Sequence, residues 1–583
     1  MRPAGQRVRM GQALIVLTGV LFVALIGRLV YIQTVLRPEL SAWSEQYQFR
    51  EIVLPGRRGA ILDRRQRVLA GSRESPTVYA DPLLVGDHAE AAEMLAPALN
   101  LTPGDVQKLL DKPTSPRYVV LKRHLTPMEA EAVKALGLDG IGLQNEPART
   151  YPMGELAAQV VGFVSSDGGG LDGLELAWER HLRAVSGKRI VHCDAGRRAV
   201  FSKPDSFIPP KNGLHIVLTI DAAIQEIVER ELAKQVQARQ AESGVVLLLN
   251  PQNGEVLAMA NYPSFDPSTP NLFPVEHRRN RILTDPAEPG SIFKPFVMCA
   301  ALAEKLARPE EIIDCERGAF RIGKRILHDV HSYSGLTVAQ IMIKSSNIGM
   351  AKLGLRLGNE KMHSHLSDFG FGQPTGIDLH GENHGIFMPL RRWNSYTTTS
   401  VPMGQEMAPT PLQLGVAFSA IVNGGRLYQP RVVRAVIDKY GNLVEDHSQP
   451  VFRGQVIDPE VSADVCDMLK RVVSSEGTGR ACIMDRWEVL GKTGTAQVPA
   501  RNRRGYEPGA YLASFMAAAP ASDPAVVAVV MIRKPKGAPY YGGTVAAPVA
   551  KAIFEQVLPY LNVPPDKPDA ASVRLAKGGA SGH

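Results

Sequence analysis

The chain has 583 residues, 44% of them hydrophobic and 21% charged, with a formal net charge of +8. That balance excludes a wholly disordered chain, and the length excludes one ordinary domain; roughly three to four units are expected. The basic surplus favours anionic surfaces such as membrane lipid or acidic polymers, and no zinc-finger or RNA-binding signature supports nucleic acid as a partner.

Residues 1–9 carry Arg2, Arg7 and Arg9 and precede an uncharged stretch, residues 10–27, whose 18 positions stand at the threshold for spanning a bilayer. Apolar residues resume after Arg28, so a transmembrane anchor is expected over residues 10–32. The leading arginines place the N-terminus in the cytoplasm and the rest of the chain across the membrane. A cleaved signal peptide is the alternative, but no small-x-small cleavage site follows the apolar run.

Residues 40–215 read as an elongated α+β region. Alternating apolar residues after the anchor suit strands, helical periodicity covers residues 89–99 and 127–136, and the run SSDGGGLDG at 165–173 breaks any regular element. The pattern changes at Leu214. HIVLTI predicts a strand, and Asp221 then caps the amphipathic helix AAIQEIVERELAKQVQ. GVVLLLN and GEVLAMA, joined by PQN, predict a hairpin of two core strands, and VVAVVMIR predicts another strand. A last helix, VAAPVAKAIFEQVLPYL, completes an α+β sandwich over residues 216–561, with an antiparallel sheet between helices and the first and last helices packed together. Residues 562–583, rich in Pro, Ala, Gly and Lys, are expected to be disordered. The five cysteines (Cys193, Cys299, Cys315, Cys466 and Cys482) contain no Cys-x-x-Cys, and no His-Glu-x-x-His occurs. Buried thiols are therefore expected, with no metal and no other cofactor.

Three motifs each occur once in the chain: Ser291-Ile-Phe-Lys294, Ser345-Ser346-Asn347 and Lys492-Thr493-Gly494. Each is weak alone; together and in this order they form a set that penicillin-binding proteins and class A β-lactamases share. Pro295 fits a helix only in its first turn, which puts Ser291 at or near an N-cap, where unpaired N–H groups and the helix dipole favour an oxyanion. A spacing of three brings Ser291 and Lys294 to one helix face. A serine hydroxyl needs a base to take its proton, and Lys294 serves only if neutral. Lowering its pKa from ~10.4 to ~7–8 amounts to about 4 kcal/mol, to which burial and the nearby cation of Lys492 would contribute. Ser345 offers a second hydroxyl as a proton relay, Asn347 an amide for a substrate backbone, and Lys492 a cation at a strand edge. Gly494 would let a substrate backbone approach closely. Arg501, Arg503 and Arg504 follow as a solvated charge run or as contacts to an acidic substrate.

Along nearly the whole chain after the anchor, the sequence resembles class B penicillin-binding proteins. Arg58-Gly59 with Asp63-Arg64, Arg149-Thr-Tyr-Pro152 and Gly173-Leu-Glu175 look like that family's pedestal motifs, with a departure at Arg65-Gln66, where the family usually shows Asn-Gly. NPQNGEVLAMANYPSFDP, EPGSIFKPF, LTVAQIMIKSSN, FGFG, MGQEMAPTPLQL and LGKTGTAQ resemble its catalytic pattern. The resemblance implies a penicilloyl-serine transferase fold behind a dimerisation-type pedestal, and a peptidoglycan D,D-transpeptidase acting on stem peptides and nascent glycan strands and inhibited by β-lactams. It implies Ser291 as nucleophile, Lys294 as base, Ser345 as relay and Asn347 as substrate ligand. Lys492, Thr493 and Thr495 would bind the terminal carboxylate, and the Ser291 and Thr495 N–H groups would form the oxyanion hole. Length and the position of Ser291 look most like the division-specific type, which implies a SEDS-family glycosyltransferase and division-complex proteins as partners. A D,D-carboxypeptidase, an elongation-specific transpeptidase and a non-catalytic division scaffold are the alternatives. A class A β-lactamase is disfavoured, because no Glu-x-x-Leu-Asn lies between Asn347 and Lys492.

Overall fold

Residues 10–32 lie inside one helix, Ala4–Thr34, whose segment Val8–Thr34 is long and apolar enough to cross a bilayer. The computed structural model describes residues 4–41, 49–113, 115–193, 199–202, 206–500 and 505–567. The chain divides into two compact units. The first comprises Met1–Arg57 and Ala184–Asn212, and the second Arg58–Arg183 and Gly213–His583. Within the second unit, Ile61–Leu62 pairs in parallel with His215–Leu218 inside one sheet.

Beside the apolar helix, the first unit holds a three-stranded antiparallel sheet of Phe49–Leu54, Gly187–Cys193 and Ala199–Ser202. In the second unit, the helices expected near residues 89–99 and 127–136 are His88–Leu99 and Pro127–Leu136. Asp87 caps the first, and a capping box of Thr126 and Glu129 starts the other. A further helix, Pro103–Asp111, has no counterpart in the sequence reading. The pedestal motifs meet in a buried charge cluster. Glu175 accepts from the Nε–H groups of Arg58 and Arg149, both at 2.6 Å, and its side chain is wholly buried. Arg149 also donates to Gly59 O (2.7 Å) and Arg58 to Glu175 O (2.7 Å).

Asp63 and Asp221 tie this region to the catalytic sheet. Asp63 accepts from Ala222 N (3.0 Å) at the start of the helix Ala222–Ala238, and Arg67 bridges Asp63 and Asp221. Asp221 caps that helix through Ala223 N and also accepts from the Tyr560 hydroxyl (2.9 Å) on the last helix, Ala547–Tyr560. Gln66 takes the left-handed backbone (φ 64°) at the turn where the family usually has Asn-Gly.

The catalytic sheet is antiparallel, in the order Val256–Tyr262, Ser243–Leu249, Val526–Arg533, Tyr506–Ala519, Leu490–Pro499. Its central strands divide alternate side chains between two cores, which is why they read as unbroken apolar runs. Val246 and Leu248 pack with Ile224, Leu232, Val530 and Phe554 beneath the first and last helices. Val245, Leu247 and Leu249 join Phe296, Leu414 and Phe418 on the other face. The expected α+β sandwich is therefore present, with Arg230 and Gln556 hydrogen-bonded between its first and last helices.

Residues 562–567, expected to begin a disordered tail, are a correction. Trp487 donates to Pro564 O, Glu488 N to Asp566, and Lys567 to Met484 O, so the chain after the last helix is pinned by polar contacts that composition does not reveal. Residues 568–583 lie outside the described residues, as do Arg501, Arg503 and Arg504. Cys299, Cys315 and Cys482 are buried and free, and Cys466 is half-buried and free.

Candidate active site

The segment Gly290–Phe293 forms a single 3₁₀ turn, and the α-helix proper begins at Lys294. The sequence placed Ser291 at or near the N-cap; the structure puts it two residues before the N-cap Phe293, for a reason in the chain itself. Pro295 has no N–H to give to the Ser291 carbonyl, so the Lys294 N–H takes that carbonyl with the tighter 3₁₀ spacing. Gly290 has φ +58°, and a Cβ there would approach Thr495 O to 3.2 Å, so the serine turn lies directly against the strand Leu490–Pro499. Ser291 itself is half-buried, and among the described residues its hydroxyl has no hydrogen-bond partner.

Lys294, wholly buried, donates to Ser345 O (2.6 Å), Ser345 Oγ (3.2 Å) and Asn347 Oδ1 (2.8 Å). Lys492, equally buried, donates to Ser345 Oγ (2.9 Å) and Thr493 O (3.1 Å). One hydroxyl therefore stands between two amino groups contributed by different elements. Burial lowers Lys294 to about 7, with Asp329 pulling in the opposite direction. Lys492 is driven well below the ordinary lysine value, by burial and by repulsion from Lys294. Of the two causes expected for the lowering of Lys294, burial acts on it directly, while the repulsion between the two lysines is expressed on Lys492. Both lysines are thus lowered, and each disfavours the proton of the other.

Ser345 sits between the helices Val338–Lys344 and Asn347–Asp368, in the left-handed region at φ 59°, ψ 40°. A β-carbon there is strained, and the strain turns both its carbonyl and its hydroxyl toward Lys294. Ser346 caps the second helix through Gly349 N (2.9 Å). Ser345-Ser346-Asn347 thus forms the boundary between two helices while presenting Ser345 and Asn347 to Lys294.

The strand Leu490–Pro499 is the open edge of the sheet. Alternation sends Lys492 and Gly494 toward the serine turn, and Thr493 and Thr495 to the other face. Thr493 Oγ1 lies 2.6 Å from Thr478 Oγ1, and Thr495 Oγ1 accepts from Gly542 N (3.1 Å). Gly494 was expected to admit substrate. A Cβ there would lie 2.6 Å from Ser514 Oγ and 2.8 Å from Ile292 Cγ2, so the space is already filled by the protein itself. All three motifs meet in one site. Sequence reasoning missed Thr478, Gly542 and Asp329; the first two meet the motif threonines only through folding, and the last is a lone acid with no spacing rule.

A family model described as "Penicillin binding protein transpeptidase domain" matches residues 244–555, and one described as "Penicillin-binding Protein dimerisation domain" matches residues 53–218. The chain is 35% identical to the stage V sporulation protein D of Bacillus subtilis, over 97% of this chain and 88% of that one. It is 33% identical to the peptidoglycan D,D-transpeptidase FtsI of Escherichia coli K12, over 93% and 90%. Among solved structures, penicillin-binding protein 3 of Mycobacterium tuberculosis complexed with aztreonam superposes with a TM-score of 0.69 at 26% identity, over 89% of this chain and 99% of that one.

Proposed function

The chain belongs to the penicillin-binding protein transpeptidases, and from that premise we propose that it is a membrane-anchored D,D-transpeptidase that cross-links peptidoglycan through an acyl-enzyme on Ser291, in septal wall synthesis. The observation that carries this reading is the Ser345 hydroxyl shared by two buried lysines, one of them three residues from Ser291.

The donor is a stem peptide ending in D-alanyl-D-alanine. Its terminal carboxylate binds Lys492 and the Thr493 and Thr495 hydroxyls on the sheet edge, and Asn347 holds its backbone. That carboxylate favours the protonated form of Lys492, whose charge in turn favours the neutral form of Lys294, the base. Lys294 takes the Ser291 proton as Oγ bonds to the penultimate carbonyl carbon. The Ser291 and Thr495 N–H groups stabilise the resulting oxyanion, each worth roughly 3 kcal/mol. Through Ser345 the proton reaches the departing nitrogen, the amide C–N bond breaks, and D-alanine leaves. An acceptor amine then attacks the ester, forms the cross-link and returns the proton to Ser291. A β-lactam enters by the same attack; its ring opens without releasing a fragment, and the ester persists.

Full-length protein treated with benzylpenicillin should gain the mass of one penicillin, carried after digestion by the peptide containing Ser291. No adduct on folded protein, or an adduct on another residue, would overturn the reading. Cross-linked dimers among the products of purified muropeptides separate transfer from hydrolysis by a carboxypeptidase.

Gly494→Ala should cost about 1–3 kcal/mol of stability by overpacking against Ile292 and Ser514. By displacing the serine turn it should also slow acylation about 100-fold. A melting curve and a penicillin time course measure the two effects, and acylation at the wild-type rate would refute the second.

The apolar N-terminal helix fits a single-pass anchor. With Arg2, Arg7 and Arg9 before it, the catalytic region belongs on the extracytoplasmic side. Following the resemblance, the anchor and pedestal bind a SEDS-family glycosyltransferase and other division proteins; recovery of none of these with the full chain would count against this.

A further inference from the structure

The end of the strand Arg325–His328 and the first residue after it reach the Ser345-Ser346-Asn347 segment. The His328 carbonyl accepts from Asn347 Nδ2 (3.1 Å), which orients the amide so that its Oδ1 faces Lys294. Asp329 does more. Its Oδ2 accepts from the Ser346 hydroxyl (2.6 Å), and its Oδ1 accepts from the backbone N–H groups of Asn347 and of Ile348, the latter at 3.1 Å. Ser346 already caps this helix through Gly349, so the Asp329 carboxylate supplements an ordinary cap and fixes the position of the segment that touches Lys294.

The charges tell the same story. Two lysines buried in one site cannot both keep their protons without a counter-ion. Lys492 faces Lys294 from the sheet edge, Asp329 faces it from the loop, and the other contacting groups, Ser345 and Asn347, are neutral. Two lysines and one carboxylate are electrically balanced with a single lysine protonated, which leaves the other as a free base. Around Asp329 itself stand Cys315, whose Sγ is 3.7 Å from Ser346 Oγ, and Tyr333; its charge pushes both of these groups up, each chiefly raised by burial.

We propose that Asp329 is a positioning residue for the acylation step: it locks residues 346–348 beside Lys294 and supplies the single negative charge that fixes how many protons the two-lysine pair holds. The inference rests on the reading of Ser291 as the acylated nucleophile and Lys294 as its base.

The test is the pH dependence of acylation by benzylpenicillin. Second-order rate constants are measured on the full chain from about pH 5 to about pH 9 for the wild type, Asp329→Asn and Asp329→Glu. Neutral Lys294 is the active form, so the wild-type rate should rise through a midpoint near the lysine's value of about 7. Removing the anion destabilises the protonated lysine and lowers its pKa, so in Asp329→Asn the acid limb should move to lower pH by about one unit. Asp329→Glu keeps the charge while losing the fit; it should be slower at every pH with the wild-type midpoint, and it keeps the proposal testable if the asparagine variant fails to fold on a melting curve. A uniform loss in Asp329→Asn with an unmoved midpoint, or a shift in Asp329→Glu equal to that of asparagine, would overturn the proposal. A wild type that is never acylated would overturn the transpeptidase reading itself.

Discussion

Lys294→Met is expected to slow acylation of Ser291 by about 10³- to 10⁴-fold while leaving the fold in place. Methionine matches lysine in length and suits the apolar wall that the serine helix, Lys294–Ala303, presents on every side. What it lacks is the amine proposed to accept the Ser291 proton and to pass it to Ser345. Two acceptors lose their donor, the Ser345 carbonyl and Asn347 Oδ1, at about 1–3 kcal/mol each. Against this stands relief from the cost of burying an amine, so the net change in stability should be about 2 kcal/mol or less. Time courses with a fluorescent penicillin, beside a melting curve, measure both. A loss of less than about tenfold would mean that another group removes the proton.

The second large effect is on stability and lies away from the chemistry. Glu175→Ala should destabilise the second unit by about 3–5 kcal/mol, because it leaves the Arg58 and Arg149 guanidiniums buried and facing each other without their shared carboxylate. The site has little slack to absorb the loss: Arg149 Nη2 is already buried without a hydrogen-bond partner. Glu179, 2.6 Å from Arg58 Nη1, compensates one arginine but not the other. The full chain in detergent should melt several degrees lower, and the variant molecules that remain folded should acylate at the wild-type rate. An unchanged melting temperature would show that water enters the cluster and replaces the carboxylate.

How much of this was legible in the sequence depends on whether neighbours in space are also neighbours in the chain. The strand hairpin from Ser243 to Tyr262 and the capped helix after Asp221 depend on local pattern and turn residues, and both are present. The catalytic motifs were legible because each packs its chemistry into four residues or fewer. Their mutual geometry was not. That Lys294 spends two of its hydrogen bonds on Ser345 and one on Asn347 depends on contacts across more than fifty positions. Asp329 carries no signature at all, being one acid in a loop 17 residues before Ser346. Gly494 was legible only in part: a glycine in a strand signals close approach by some backbone or side chain, and sequence does not say that the protein's own Ile292 is one such neighbour. At residues 562–567 composition misleads, since Pro564 is held by the Trp487 indole N–H and the Asp566 and Lys567 side chains by the backbone of Glu488 and Met484.

The backbone of Ser345 has a consequence for how this protein can be improved by selection. At φ 59° a serine is less at ease than glycine or asparagine, so the substitutions that would relax the turn are the ones that remove the hydroxyl from between Lys294 and Lys492. Heat resistance and turnover therefore pull this position in opposite directions. A library ranked only by survival after heating would enrich sturdy, inert molecules there, whereas one ranked by penicillin labelling would retain the strained serine. Comparing the two rankings at this codon would give a direct reading of how much stability is forgone to keep a hydroxyl between the two lysines.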